Sequence, residues 1–328
     1  MRDAATTVAA SFVAPKAVRS VGRVVGSYLE LGKARLTALV LVTTAVGFVL
    51  GAGPTVDTGR LTVTVLGTGL AALGANALNE WWERERDARM RRTAGRPLPT
   101  RRLTPRAAVV FGLVCGAAGP LILLRGTTPL AAALALVTLL TYVLLYTPLK
   151  VRTTGNTLVG AVVGALPPLV GWTAATGGIA PPGLALAATL FCWQVPHFLA
   201  LAWLYRDDYR RGGFRMLPAV DAAGYLTACV VVIYALLLVP VTLALTVLGA
   251  AGWLYAGGAL LLGAAFVAVA VRLERQRSAA AARHVFLASV IYLPLLMGLL
   301  VLDRPTSGAV RPPAAVAAPV EKSADVAA

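Results

Sequence analysis

Charge is scarce in this chain: Asp, Glu, Lys and Arg make up 13% of its 328 residues, against 58% hydrophobic residues and a mean hydropathy of +0.76. That balance excludes a water-soluble domain of this length. Acidic residues are scarcer still, 14 against 30 Lys and Arg, leaving a net charge of +16. Cysteine is nearly absent. Cys115, Cys192 and Cys229 stand isolated in apolar segments with no paired spacing, which reads as small buried hydrophobes rather than disulfides or thiolate ligands. Residues 1–24 lack a continuous apolar core ahead of a small-residue site, so no cleavable signal peptide is read there. An Arg-rich, acid-poor start keeps an organelle transit peptide open.

What the chain does have is long uncharged runs. Nine segments, near 36–55, 61–79, 107–124, 127–147, 156–175, 184–205, 223–247, 253–271 and 284–302, reach the ~17–25 residues a helix needs to cross a bilayer. Two divisions rest on turn chemistry, at Gly177-Gly178-Ile179-Ala180-Pro181-Pro182-Gly183 and at Gly249-Ala250-Ala251-Gly252. The expectation is an all-α, polytopic membrane protein with one domain over 25–303. Residues 1–24 are expected to form a flexible cytoplasmic arm, and the Pro-, Ala-, Val- and Ser-rich 304–328 a disordered extracytoplasmic tail.

The basic residues are distributed unevenly. Of the 30 Lys and Arg, 25 fall before the first span or in the alternate connections 80–106, 148–155, 206–222 and 272–283. This is the positive-inside signature, so it predicts a cell membrane protein with a cytoplasmic amino terminus and, after nine spans, an outer carboxy terminus. A nucleic-acid partner is excluded by the same distribution; the surrounding partner is membrane lipid.

The acidic residues collect at two span exits. Asn79, Glu83 and Asp87 recur every four residues, which on a helix makes one polar stripe about 12 Å long. Oxygen donors without His or Cys favour Mg²⁺, held by carboxylates together with substrate phosphates. A solvated, alternately charged helix end is the plain alternative. Glu80 and Glu85 precede Arg84 and Arg89 by four residues, the spacing of helical ion pairs. After them comes Arg91-Arg92-Thr93-Ala94-Gly95-Arg96-Pro97; its guanidinium forks match phosphate oxygens, or it fixes topology and touches anionic lipid. Lys150, at the inner end of the fourth span, is either a diphosphate contact or a positive-inside anchor. His197 is the strongly ionisable group in a long apolar stretch, a functional hypothesis by default, with a satisfied structural histidine as the alternative. Eleven residues separate it from Asp208, near three turns, so the two share a face if Pro196 does not bend the helix.

The motifs that carry a family resemblance are Asn79…Glu83…Asp87…Met90…Arg92-Thr93…Arg96-Pro97-Leu98, Tyr146-Thr147…Leu149-Lys150, Gly164…Pro167-Pro168…Gly171-Trp172, Trp193-Gln194…Pro196-His197-Phe198 and Asp208-Tyr209…Gly212…Met216-Leu217-Pro218. Together they resemble the haem O synthase (protohaem IX farnesyltransferase) branch of the UbiA-type intramembrane prenyltransferases. The resemblance implies about nine helices around a central cavity with cytoplasmic cap loops. It implies Mg²⁺ held by Asn79, Glu83 and Asp87 against farnesyl diphosphate, and Asp208, with Asp207, at a second metal site. Arg92, Arg96, Tyr146 and Lys150 would steady the diphosphate, and His197 would contact or orient the porphyrin. The acceptor would be haem b at its 2-vinyl group, the product haem O, and a candidate protein partner haem A synthase or a terminal oxidase assembly. Two departures stand out: Glu83 and Glu85 replace Asp, and Tyr205 and Tyr209 fall where the wider superfamily has second-motif carboxylates. A prenyltransferase of a quinone precursor, and a cation-coupled transporter using Glu83 and Asp208, are the alternatives.

Overall fold

The computed structural model describes residues 16–305, with side chains from Val21 onward. In chain order these residues form α1 (Lys16–Leu31), α2 (Ala34–Gly51), α3 (Thr58–Asp87), α4 (Pro105–Gly126), α5 (Pro129–Leu149) and α6 (Asn156–Thr176). They continue with α7 (Pro181–Leu204), the short α8 (Arg206–Gly212) and α9 (Leu217–Val220), then α10 (Tyr225–Val247), α11 (Trp253–Gln276) and α12 (Ala279–Leu302). There is no strand among the described residues. Nine of these helices, α2 to α7 and α10 to α12, are long and apolar enough to cross a membrane.

Local chemistry explains the boundaries. Asp57, Thr104, Thr128 and Ser278 each accept a backbone N–H from three residues on, capping α3, α4, α5 and α12. Pro105, Pro129 and Pro181 open their helices, where a missing N–H costs nothing. Both expected glycine breaks form, with Gly177 at φ +83° and Gly249 at φ +71°.

At the amino terminus the helical part of the chain begins before residue 25. Residues 16–24, read as part of a flexible arm, belong to α1; residues 1–15 and 306–328, with most of the expected tail, lie outside the described residues. The helix is one-sided: Tyr28 and Leu31 pack against Ala77, Trp81 and Phe111, while Val21, Val24 and Val25 are exposed. Such a pattern produces no continuous apolar run.

The spans approach each other through small residues. A Cβ added at Gly47 would strike the Pro168 carbonyl, and one at Gly171 the Thr44 carbonyl, so α2 and α6 cross backbone to backbone. Leu39, Val42, Val110, Leu113 and Leu261 point outward, as a lipid-facing surface requires. Because successive spans reverse direction, the ends of α3, α5 and α7 fall at the same end of the bundle as α1. Arg215 N donates to Lys150 O at 2.7 Å, and Asn156 Nδ2 to Arg215 O at 3.0 Å, tying these connections into one cap. Gly47→Val is expected to destabilise the fold by at least about 3 kcal/mol, the upper end for overpacking; unchanged thermal unfolding in detergent would contradict the close crossing.

Candidate active site

The last turns of α3 become polar without leaving the interior. Asn79 and Asp87 are fully buried and Glu83 nearly so, and each meets a cation from a different connection. Lys33, between α1 and α2, donates to Asn79 Oδ1 at 2.8 Å, and Asn79 Nδ2 donates to Thr147 Oγ1 at 2.9 Å. Lys150 Nζ donates to Glu83 Oε2 at 3.2 Å and lies 2.9 Å from Oε1, out of line for a second hydrogen bond. Arg96 Nη1 donates to Asp87 Oδ2 at 2.6 Å. Burial, reinforced by the Arg96 and Lys150 charges, pulls the Lys33 ammonium down to about 7. Burial also works against the Lys150 charge, yet Glu83 opposite wins and raises it above the ordinary lysine value. Beside Glu83 opens a cavity of about 320 Å³, lined in part by Trp82, Arg86, Arg89, Thr147 and Arg152.

Several oxygens here are left over. Glu83 Oε1, Asp87 Oδ1 and both carboxylate oxygens of Glu80 are buried without a hydrogen-bond partner. Unpaired anionic oxygens in a dry site are costly. Oxygen donors left open on one helix face fit a hard divalent cation that takes its other ligands from phosphate and water. Among the described residues no three Asp, Glu, His or Cys side chains come together as a group that could hold a metal ion. Glu80 itself departs from the sequence reading. Arg84 donates to the Trp81 carbonyl and to Glu85 instead, and Glu80 turns inward, fully buried. The spacing rule fails because it ranks pairs on an exposed helix, whereas this turn is covered.

The arginine loop is built around Asp208. Its Oδ1 accepts from Arg91 N at 3.2 Å and from the Arg211 side chain, and its Oδ2 from Arg92 N at 3.1 Å. Burial opposes ionisation, but these donors outweigh it and hold the carboxyl below its ordinary value. Both oxygens of Asp208 are thus engaged in holding the loop. Asp207 is exposed and pairs with Arg210, outside the site. Nor do His197 and Asp208 share a helix. Pro196 is accommodated inside α7, but the chain breaks at Tyr205 before α8 begins.

Arg92 stacks over Tyr205 and Tyr209, 4.9 and 5.5 Å from the ring centroids, and donates to Tyr209 Oη at 3.1 Å. The two tyrosines at the expected carboxylate positions thus serve the arginine. Tyr146 lies under Lys150, 4.6 Å from Nζ to ring centroid, and stands with Tyr142 in a widened π-helical turn of α5, Thr141–Tyr146, a feature frequent at functional sites. Tyr142 Oη also reaches Asn79 Oδ1 at 3.4 Å. His197 is placed apart from this cluster, on α7 beside Ser289 of α12.

The model of the UbiA prenyltransferase family matches residues 40–298. The chain belongs to that family. Among its relatives, the protoheme IX farnesyltransferase of Solibacter usitatus (strain Ellin6076) is 46% identical, with 85% of this chain and 98% of the relative aligned. That of Anaeromyxobacter sp. (strain Fw109-5) is 47% identical over 84% and 92%. The mitochondrial one of Arabidopsis thaliana is 40% identical over 84% of this UbiA member and 64% of its own length. Solved structures share the fold: a digeranylgeranylglyceryl phosphate synthase has a TM-score of 0.73 at 15% identity, over 85% and 98% of the two chains. A UbiA homologue from Archaeoglobus fulgidus, bound to GPP and Mg²⁺, has a TM-score of 0.58 at 12% identity, over 84% and 99%.

Asp208→Asn in this UbiA member is expected to weaken the 91–92 loop by about 1.5–3 kcal/mol, the range for hydrogen bonds to a charge. Trypsin should then cleave at Arg91 and Arg92 faster, with Asp207→Asn as the silent control. Equal cleavage rates in both variants would remove Asp208 from the loop.

Proposed function

We propose that this chain transfers the farnesyl group of farnesyl diphosphate to the 2-vinyl group of protohaem IX, with addition of water, giving haem O and diphosphate. One observation carries the reading: the buried stripe of Asn79, Glu83 and Asp87 faces Lys150 and Arg96 in a chain 46% identical to a protoheme IX farnesyltransferase. Mg²⁺ would be held by Glu83, Asp87 and Asn79 on the stripe. When bound, it supplies charge neutralisation to the departing diphosphate.

The chain's own residues do the rest. Lys150 and Arg96 are fixed cations that can exchange part of their carboxylate contact for phosphate oxygens, and Arg92, held flat on Tyr205 and Tyr209, presents its fork from the opposite connection. Tyr146 keeps Lys150 from wandering. The apolar spans exclude bulk water from the allylic cation that forms as the C–O bond breaks, so that the vinyl carbon of haem attacks it first. Water then adds to the remaining vinyl carbon and gives up its proton, which leaves a hydroxyethylfarnesyl side chain.

The site end of the bundle faces the cytoplasm of a bacterial cell membrane, with the amino terminus inside and the carboxy terminus outside. The charge asymmetry supports this. Haem O, too apolar to leave the bilayer, passes to haem A synthase or a terminal oxidase assembly.

Membranes containing the chain, given farnesyl diphosphate and Mg²⁺, should convert haem b to a product heavier by the elements of farnesol, and EDTA should stop this. Prenylation of 4-hydroxybenzoate with haem left untouched would overturn the proposal. Glu83→Gln should lower turnover at least about 100-fold, as loss of a charge-stabilising group does, measured per folded chain because the change also leaves the buried Lys150 without its carboxylate. Full activity in that variant would take Glu83 out of the mechanism.

A further inference from the structure

His197 forms a second polar arrangement that the diphosphate chemistry does not use. On α7, Trp193 and His197 stand one turn apart with ring centroids 4.9 Å apart and planes 20° from parallel. Phe286 of α12 lies against the imidazole at 5.1 Å and 30°, and Phe198 at 5.8 Å. Ser289, fully buried, ties these helices together twice. Its carbonyl accepts from Trp193 Nε1 at 2.9 Å, and its Oγ lies 2.8 Å from His197 Nδ1.

The proton inventory decides the tautomer. Ser289 has one hydroxyl proton and donates it to Phe286 O at 2.6 Å. Its oxygen therefore accepts from His197, so Nδ1 carries the ring proton and Nε2 keeps its lone pair. Among the described residues Nε2 has no hydrogen-bond partner, and His197 is half-buried. An imidazole whose Nδ1–H is anchored on oxygen is the arrangement by which proteins present Nε2 to a metal.

A bare metal ion does not fit here. No hydrogen bond or ion pair links His197 to a carboxylate, and no second His, Cys, Asp or Glu pair joins it among the described residues. The metal must bring its own equatorial donors. A metalloporphyrin does so: it brings four in-plane nitrogens and an open axial position, and its apolar surface suits the aromatic collar that Trp193, Phe198 and Phe286 form around the imidazole. We propose that His197 Nε2 is the axial ligand to the iron of the porphyrin acceptor and that Ser289 is the positioning residue that fixes its tautomer. This rests on the function proposed above.

The test titrates ferric haem b into the purified full-length chain in lipid nanodiscs, followed by absorption and electron paramagnetic resonance. Farnesyl diphosphate binding by calorimetry reports that each variant is folded. Wild type should show nitrogen-ligated iron; His197→Ala should lose that signature and recover it with added imidazole. Ser289→Ala should weaken haem affinity on the order of 10- to 100-fold, as loss of a ligand's anchoring partner does, and raise KM for haem while farnesyl diphosphate binding is unchanged. Ser289→Thr, which keeps the hydroxyl, should retain wild-type affinity. An unchanged iron spectrum in a His197→Ala chain that still prenylates haem overturns the ligand and leaves the function standing. Wild-type haem affinity in Ser289→Ala overturns the positioning role. A wild-type chain that prenylates another acceptor and never haem overturns the function itself.

Discussion

A carboxylate at the rim of a bilayer must meet a cation or be expelled, and α3 buries Glu80, Glu83 and Asp87 within its last turns. The cations come from far away in sequence: Lys33 from the α1–α2 link, Arg96 from the loop after α3, and Lys150 from the end of α5. Neutralising one helix end therefore obliges three connections to converge on it. The cap is a consequence of that demand. Once Lys150 is fixed, its carbonyl holds Arg215, and Asp208 in turn holds the arginine loop from the other side.

The same constraint explains why the site suits a leaving diphosphate. Glu83 and Asp87 each have one hydrogen-bonded oxygen and one without a hydrogen bond, and Glu80 has neither bonded, so the cluster is electrically prepared for another cation. A diphosphate arriving with a divalent ion adds anionic charge beside Lys150, Arg96 and Arg92 and cationic charge beside the open oxygens. Preorganisation of this kind is where electrostatic catalysis gains most.

Much of this could be read from residue order, and the remainder could not for identifiable reasons. The spans were legible because hydrocarbon demands long apolar runs, and the stripe because a period of four repeats on a helix. The i to i+4 rule misassigned Glu80, since it carries no information on which helix faces are covered by another segment. The N-terminal helix α1 escaped because its apolar residues occupy one face. Besides Arg211, Asp208 meets the backbone N–H groups of residues 91 and 92, partners which no side-chain pattern announces. The pairing of His197 with Ser289 spans 92 positions and is visible only once α7 and α12 lie together.

The widened turn at Thr141–Tyr146 sets a register for everything downstream in α5. Removing a single residue from it would restore regular pitch and swing the end of that helix by roughly 100° about its axis. Lys150 would then point away from Glu83 with its chemistry intact. Insertions and deletions in this stretch are thus more damaging than most substitutions, because they displace Lys150 as a whole instead of altering one contact.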